Sequence, residues 1–238
     1  MFLSVFEMFK VGIGPSSSHT MGPMVAASRF LELLRHAEVS AHGLRASLHG
    51  SLAFTGVGHA TDRAIILGLA GFLPDTYDQA LADAALERIK ARKQVTPEGL
   101  GTLWFDPEAD LIFDRRRALP GHANGMILMA TDAGGEVILQ ETYYSIGGGF
   151  VLTEAELAAG VGTDTGPASP YPFKNAVQML EMCSAGGLSI AALKRANELV
   201  HMDQDALNAG LARLWEVMNA CIERGLHTSG TLPGGLKV

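Results

Sequence analysis

The chain has 238 residues, with 18 Lys+Arg against 25 Asp+Glu and a formal net charge of −7. A composition of 47% hydrophobic and 18% charged residues is that of a globular protein and excludes a disordered chain. The acidic balance, with Arg115-Arg116-Arg117 as the longest basic run, argues against nucleic acid as a partner.

The N-terminus, Met1-Phe2-Leu3-Ser4-Val5-Phe6-Glu7, has no basic region and an early acid, unlike a signal peptide. No apolar run approaches the ~18 residues of a membrane span, so no membrane partner and a cytoplasmic location are expected. Leu3, Phe6 and Phe9 form a short helical stripe. The polar segment Gly14-Pro15-Ser16-Ser17-Ser18-His19-Thr20 reads as a loop. Met24, Ala27, Phe30, Leu31 and Leu34 then predict a helix over 20–36, with Pro23 in its first turn.

Leu44, Ala46 and Leu48 alternate with Arg45, Ser47 and His49, predicting a half-buried strand over 44–49. A glycine-rich stretch, 50–62, leads to a helix holding Ile65, Ile66 and Leu69 and closed by Gly71. A more charged helix is expected at 78–93. Strands are expected at 102–105, 110–113, 126–131 and 136–144, with Gly134-Gly135 as a hairpin turn. Strands mixed with helices predict an α+β domain over 1–155. Residues 156–170, rich in Gly, Pro and Thr, read as a linker. An all-α segment over 171–238 follows, with helices at 173–184, 188–201 and 203–224; Leu207, Leu211, Leu214, Met218 and Ile222 mark the last.

Two loops stand out for chemistry. The serine run ends in His19-Thr20 at a helix start, where free N–H groups and the positive dipole end attract carboxylate or phosphate. An N-cap would need only one of those hydroxyls. Thr55-Gly56-Val57-Gly58-His59-Ala60-Thr61-Asp62 repeats the pattern, and His59 is an acid/base candidate because imidazole titrates near neutrality. The plain structural reading gives Gly58 a positive φ and Thr61 a capping role. Thr61 stands where a dinucleotide fingerprint needs its third glycine, so that alternative is weak. His122-Ala123-Asn124-Gly125 reads as a turn before a strand. Gly147-Gly148-Gly149, after Tyr143-Tyr144-Ser145-Ile146, could wrap a small ligand or act as a hinge. Lys174, after Pro170-Tyr171-Pro172-Phe173, reads most simply as a solvated lysine, the alternatives being a carboxylate partner or a Schiff-base lysine. Cys183 and Cys221 offer neither a disulfide framework nor a four-cysteine metal site and read as reduced core thiols.

These segments in this order resemble the bacterial iron–sulfur L-serine dehydratases (L-serine ammonia-lyases) of the single-chain type. The resemblance starts with Ser4-Val5-Phe6-Glu7-Met8-Phe9-Lys10-Val11-Gly12-Ile13-Gly14-Pro15-Ser16-Ser17-Ser18-His19-Thr20-Met21-Gly22-Pro23-Met24. It continues through the His59, Asn124, Gly147 and Tyr171 segments to Leu232-Pro233-Gly234. It implies a β domain similar to the substrate-binding regulatory domain of some D-3-phosphoglycerate dehydrogenases, followed by a helical catalytic α domain. It also implies conversion of L-serine to pyruvate and ammonia without pyridoxal phosphate, in a homodimer. A [4Fe–4S] cluster held by three cysteines would act as Lewis acid on the departing hydroxyl. His59 and His19 are the implied catalytic residues, with His59 as the Cα base. Ser16, Ser17, Ser18, Thr20, Asn124, Gly147, Gly148 and Gly149 are the implied substrate contacts. The family's cluster cysteines lie beyond position 238, so no metal ligand is expected within this sequence and the missing α-domain portion is an expected partner. The rival reading is a non-catalytic regulatory module that binds serine or another small carboxylate.

Overall fold

The computed structural model describes residues 2–160 and 168–231. Contacts divide the chain into two compact units, Gly12–Val161 and Met1–Val11 with Gly162–Val238. The first eleven residues thus group with the later helices.

The larger unit is α+β, with helices around a mixed sheet. The strands are β1 (Gly43–His49), β2 (Gln94–Val95), β3 (Leu103–Trp104), β4 (Leu111–Asp114), β5 (Gly125–Thr131), β6 (Val137–Gly147) and β7 (Phe150–Thr153). They lie in the order β2-β3-β1-β5-β6-β7, with β4 also paired to β1. β1 runs parallel to β3 and β4 and antiparallel to β5. This central place explains a departure from the expected half-buried pattern. Ser47 and His49, on the polar side of the alternation, are buried too, and they satisfy one another through a 3.0 Å bond from Ser47 Oγ to His49 Nε2.

The predicted long helix is α2 (Gly22–His36, after α1 at Val5–Met8), and each of its periodic apolar residues is buried. α3 (Ser51–Thr55), α4 (Thr61–Leu69) and α5 (Gln79–Arg92) follow. α2 and α4 pack closely because Gly68 has no side chain. A Cβ there would stand 2.7 Å from Ala27 Cβ and 2.8 Å from the Met24 carbonyl oxygen.

Three local departures bear on the site. Ser17–Met21, expected as loop, is a π-helical turn running into α2. The glycine-rich stretch is largely helical, with α3 and a 3₁₀ turn at Val57–His59. The glycine triplet is the turn of a β6–β7 hairpin, and α6 (Glu154–Ala159) follows on a Thr153–Glu156 capping box.

The smaller unit holds α1 with α7 (Ala176–Gly186), α8 (Ile190–Glu198) and α9 (Gln204–His227). Its described elements are all helices, matching the expected all-α segment. A buried carboxylate fastens the N-terminus. Glu198 accepts from Ser4 Oγ and from the Val5 N–H, both at 2.8 Å, and pairs with Lys194 at 3.3 Å. Most of the expected linker, residues 161–167, lies outside the described residues. Among those described, no single helix is long and apolar enough to cross a membrane.

Candidate functional site

The two histidine motifs meet. The ring centroids of His19 and His59 are 4.8 Å apart, tilted by 37°. Backbone-directed hydroxyls lock the two turns together: Thr20 Oγ1 donates to the His59 carbonyl at 2.8 Å, and Thr61 Oγ1 donates to the His19 carbonyl at 2.6 Å. The expected plain role of Thr61 as a cap is therefore replaced by a tie between motifs. The positive φ of this turn lies at Ala60 (+53°), not at Gly58. A non-glycine residue in the left-handed region is held by its surroundings, and such strain gathers at functional sites.

Ser16 caps the π-turn. Its Oγ accepts from the His19 N–H at 3.2 Å, and its carbonyl accepts from Thr20 and Met21. Ser17 is exposed. The N–H groups of Ser17 and Ser18 open the turn and have no acceptor within it. Short π-turns of this kind are frequent at functional sites.

The histidines differ in what their nitrogens can do. His19 is held at both ends, by Ser18 Oγ at Nδ1 (2.9 Å) and by Ser51 Oγ at Nε2 (3.0 Å). Burial, and then the nearby His59, hold its pKa below the ordinary imidazole value of 6.5. His59 Nδ1 faces the Thr55 carbonyl at 2.9 Å. A carbonyl only accepts, so Nδ1 carries the proton in the neutral ring and Nε2 keeps its lone pair. Among the described residues Nε2 of His59 has no hydrogen-bond partner, which leaves it available to a ligand.

The depressed pKa of His19 gives a signed expectation. Below pH 6.5 the unfolded chain takes up a proton at His19 before the folded chain does, so folding stability is lost as pH falls through that region. Urea midpoints of the parent and His19→Gln should therefore diverge below pH 6.5, with the parent losing more stability. Parallel midpoints across that range would contradict this.

Asn124 and the glycine turn stand differently. Asn124 is buried. Its Nδ2 donates to the Ser145 carbonyl at 3.1 Å, and its own carbonyl accepts from the Ser145 N–H at 3.0 Å. Its amide is thus engaged in holding β6. Gly147, Gly148 and Gly149 all have positive φ, as their hairpin turn requires. No hydrogen bond among the described residues joins them to the histidine pair.

Two residues not singled out from sequence belong here. Ser51 reaches His19 from α3, and its N–H donates to the Ala123 carbonyl at 2.8 Å. Gly50 makes this approach possible, with φ +56° and a Cβ position only 2.3 Å from that same oxygen. A polar residue between a glycine and an apolar helix was the available signal. Ser145 lies fully buried on β6, its Oγ under Gly22 and without a partner among the described residues.

The imidazoles, hydroxyls and open N–H groups suit a small polar ligand with a carboxylate, and a proton transfer at His59. They do not suit an iron–sulfur cluster. The chain has two thiols, Cys183 buried in α7 and Cys221 exposed on α9, and a cluster takes three or four. Among the described residues no three His, Cys, Asp or Glu stand together as a metal site.

The model of the family described as "Serine dehydratase beta chain" matches residues 4–156. The chain is 45% identical over 240 residues to an L-serine dehydratase of Streptomyces coelicolor, covering 100% of this chain and 53% of that protein. It is 43% identical to an L-serine dehydratase of Haemophilus influenzae and 42% identical to one of Escherichia coli, each covering 99% of this chain and 52% of the relative. The chain therefore spans about half the length of the curated relatives it matches.

Proposed function

Because this chain belongs to the serine dehydratase beta-chain family, we propose that it supplies the substrate-orienting and proton-transferring half of an L-serine dehydratase, which converts L-serine to pyruvate and ammonia. The observation that carries this is the unpartnered Nε2 of His59, in a ring set by Thr55 and packed on a neutral His19. In this reading the π-turn N–H groups and Ser18 hold the serine carboxylate, as first-turn donors hold anions. Nε2 of His59 removes the Cα proton, and the aminoacrylate left after loss of the hydroxyl hydrolyses to the products. His19 keeps Ser18 and Ser51 in place. Asn124 acts through Ser145, while Gly147, Gly148 and Gly149 shape the neighbouring hairpin.

The cluster expected of the family is assigned to the half of the enzyme outside this chain, in keeping with the poor fit of Cys183 and Cys221. The larger unit is read as a counterpart of the regulatory substrate-binding domain of some D-3-phosphoglycerate dehydrogenases, and the assembly as a cytoplasmic homodimer.

Pyruvate release from L-serine tests the reading, using this chain co-expressed with the complementary half of a relative and reconstituted anaerobically with iron and sulfide. Sustained release that Ser18→Ala weakens through KM supports it. Stoichiometric serine binding with no pyruvate would replace it with the non-catalytic regulatory module.

A further inference from the structure

α9 carries two apolar stripes, and its own unit uses only one. Leu207, Gly210, Leu214 and Val217 form the inner stripe. Leu207 is buried, Leu214 and Val217 are half-buried, and a Cβ on Gly210 would come 2.5 Å from Phe6 Cζ. Roughly 100° further round the helix lie Leu211, Trp215, Met218, Ile222 and Leu226, exposed by 36%, 63%, 41%, 53% and 72%. Asp205, Arg213, Glu216, Glu223 and Arg224 occupy the opposite side. The combined apolar arc is wider than one neighbour covers, since a helix packed on a single core shows a stripe of ~100°.

The outer stripe recurs at steps of four, three and four residues from Leu211 to Ile222. That spacing makes a seam for another helix, with side chains set as knobs for its holes. Exposure is greatest at Leu226, in the last turn of α9, so the uncovered surface lies along the end of the helix. Relatives that match this chain along 99–100% of its length are nearly twice as long. They therefore contain further polypeptide of comparable size.

We propose that Leu211, Trp215, Met218, Ile222 and Leu226 dock an amphipathic helix from that other half of the enzyme. The inference rests on the reading of this chain as one half of a serine dehydratase.

The test uses the full chain with Trp104→Phe, which leaves Trp215 as its one indole. It is co-expressed with the complementary half of the Streptomyces coelicolor relative. The halves should co-purify, and Trp215 emission should shift to the blue. In sedimentation, Trp215→Asp and Ile222→Asp should each weaken the complex by about 30-fold or more, as for a central anchor. Both side chains are more than half exposed in the chain alone, so its circular dichroism and its serine binding should not change. Failure of the parent halves to associate overturns the proposal, and so does an affinity in both variants equal to that of the parent. A lone-chain dimer that both variants dissociate overturns it in favour of a second copy. Serine binding separates the two readings. Parent halves that fail to dock while serine still binds sink this inference alone, whereas parent halves that dock with no serine bound or consumed sink the functional one.

Discussion

His59→Ala in the assembled enzyme should lower kcat by about 10²–10⁴-fold, the usual worth of a positioned general base, while serine still binds. The reason is specific to one nitrogen. Thr55 fixes the proton on Nδ1, and Nε2 is left bare. His19 has no such free nitrogen, because Ser18 and Ser51 occupy both. The most direct reading of the step is exchange of the serine Cα hydrogen with deuterated water. Parent enzyme should exchange it, and His59→Ala should not. Exchange at the parent rate in the variant would remove His59 from proton transfer. Lost exchange together with lost serine binding would recast the ring as a binding group.

Much of this arrangement was legible in the sequence, for identifiable physical reasons. The α2 periodicity marked its buried residues because a helix facing one core repeats every three to four positions. The run Ser16-Ser17-Ser18-His19-Thr20 drew attention because it offers more polar groups than a cap needs, and His59 because imidazole titrates near neutrality. What the sequence hid was mutual position. Nothing in the order of residues reveals that Thr20 reaches the backbone of His59 while Thr61 reaches that of His19, since each bond joins segments about 40 residues apart. The π-turn was hidden because polar residues next to proline carry the signature of a loop. Ser47 and His49 read as solvent-facing by alternation, but a strand at the centre of a sheet has both faces covered. Residues 2–9 show a helical stripe but not its partner. The tie to α8 depends on Glu198, nearly 200 positions away.

The site also depends on a contact that sequence reading passes over. Gly22→Ala should destabilise the larger unit by about 3 kcal/mol, the upper range for overpacking a tight core. Gly22 follows the π-turn and lies against β6, where an added Cβ would stand 1.9 Å from Ser145 Oγ and 2.7 Å from Ser145 Cβ. Both residues are buried, and Ser145 is clamped through its backbone by Asn124. Neither side can yield without moving the turn that carries Ser18 and His19. The variant should therefore lose urea stability and weaken serine binding together. Ser145→Gly removes both atoms that the new methyl would meet. The double variant Gly22→Ala/Ser145→Gly should then recover more stability than the sum of the single effects predicts, a positive coupling typical of residues in direct contact. Additive losses would mean that the turn tolerates the methyl by another route. Gly22 would then owe its place to the entry into α2 and not to its contact with β6.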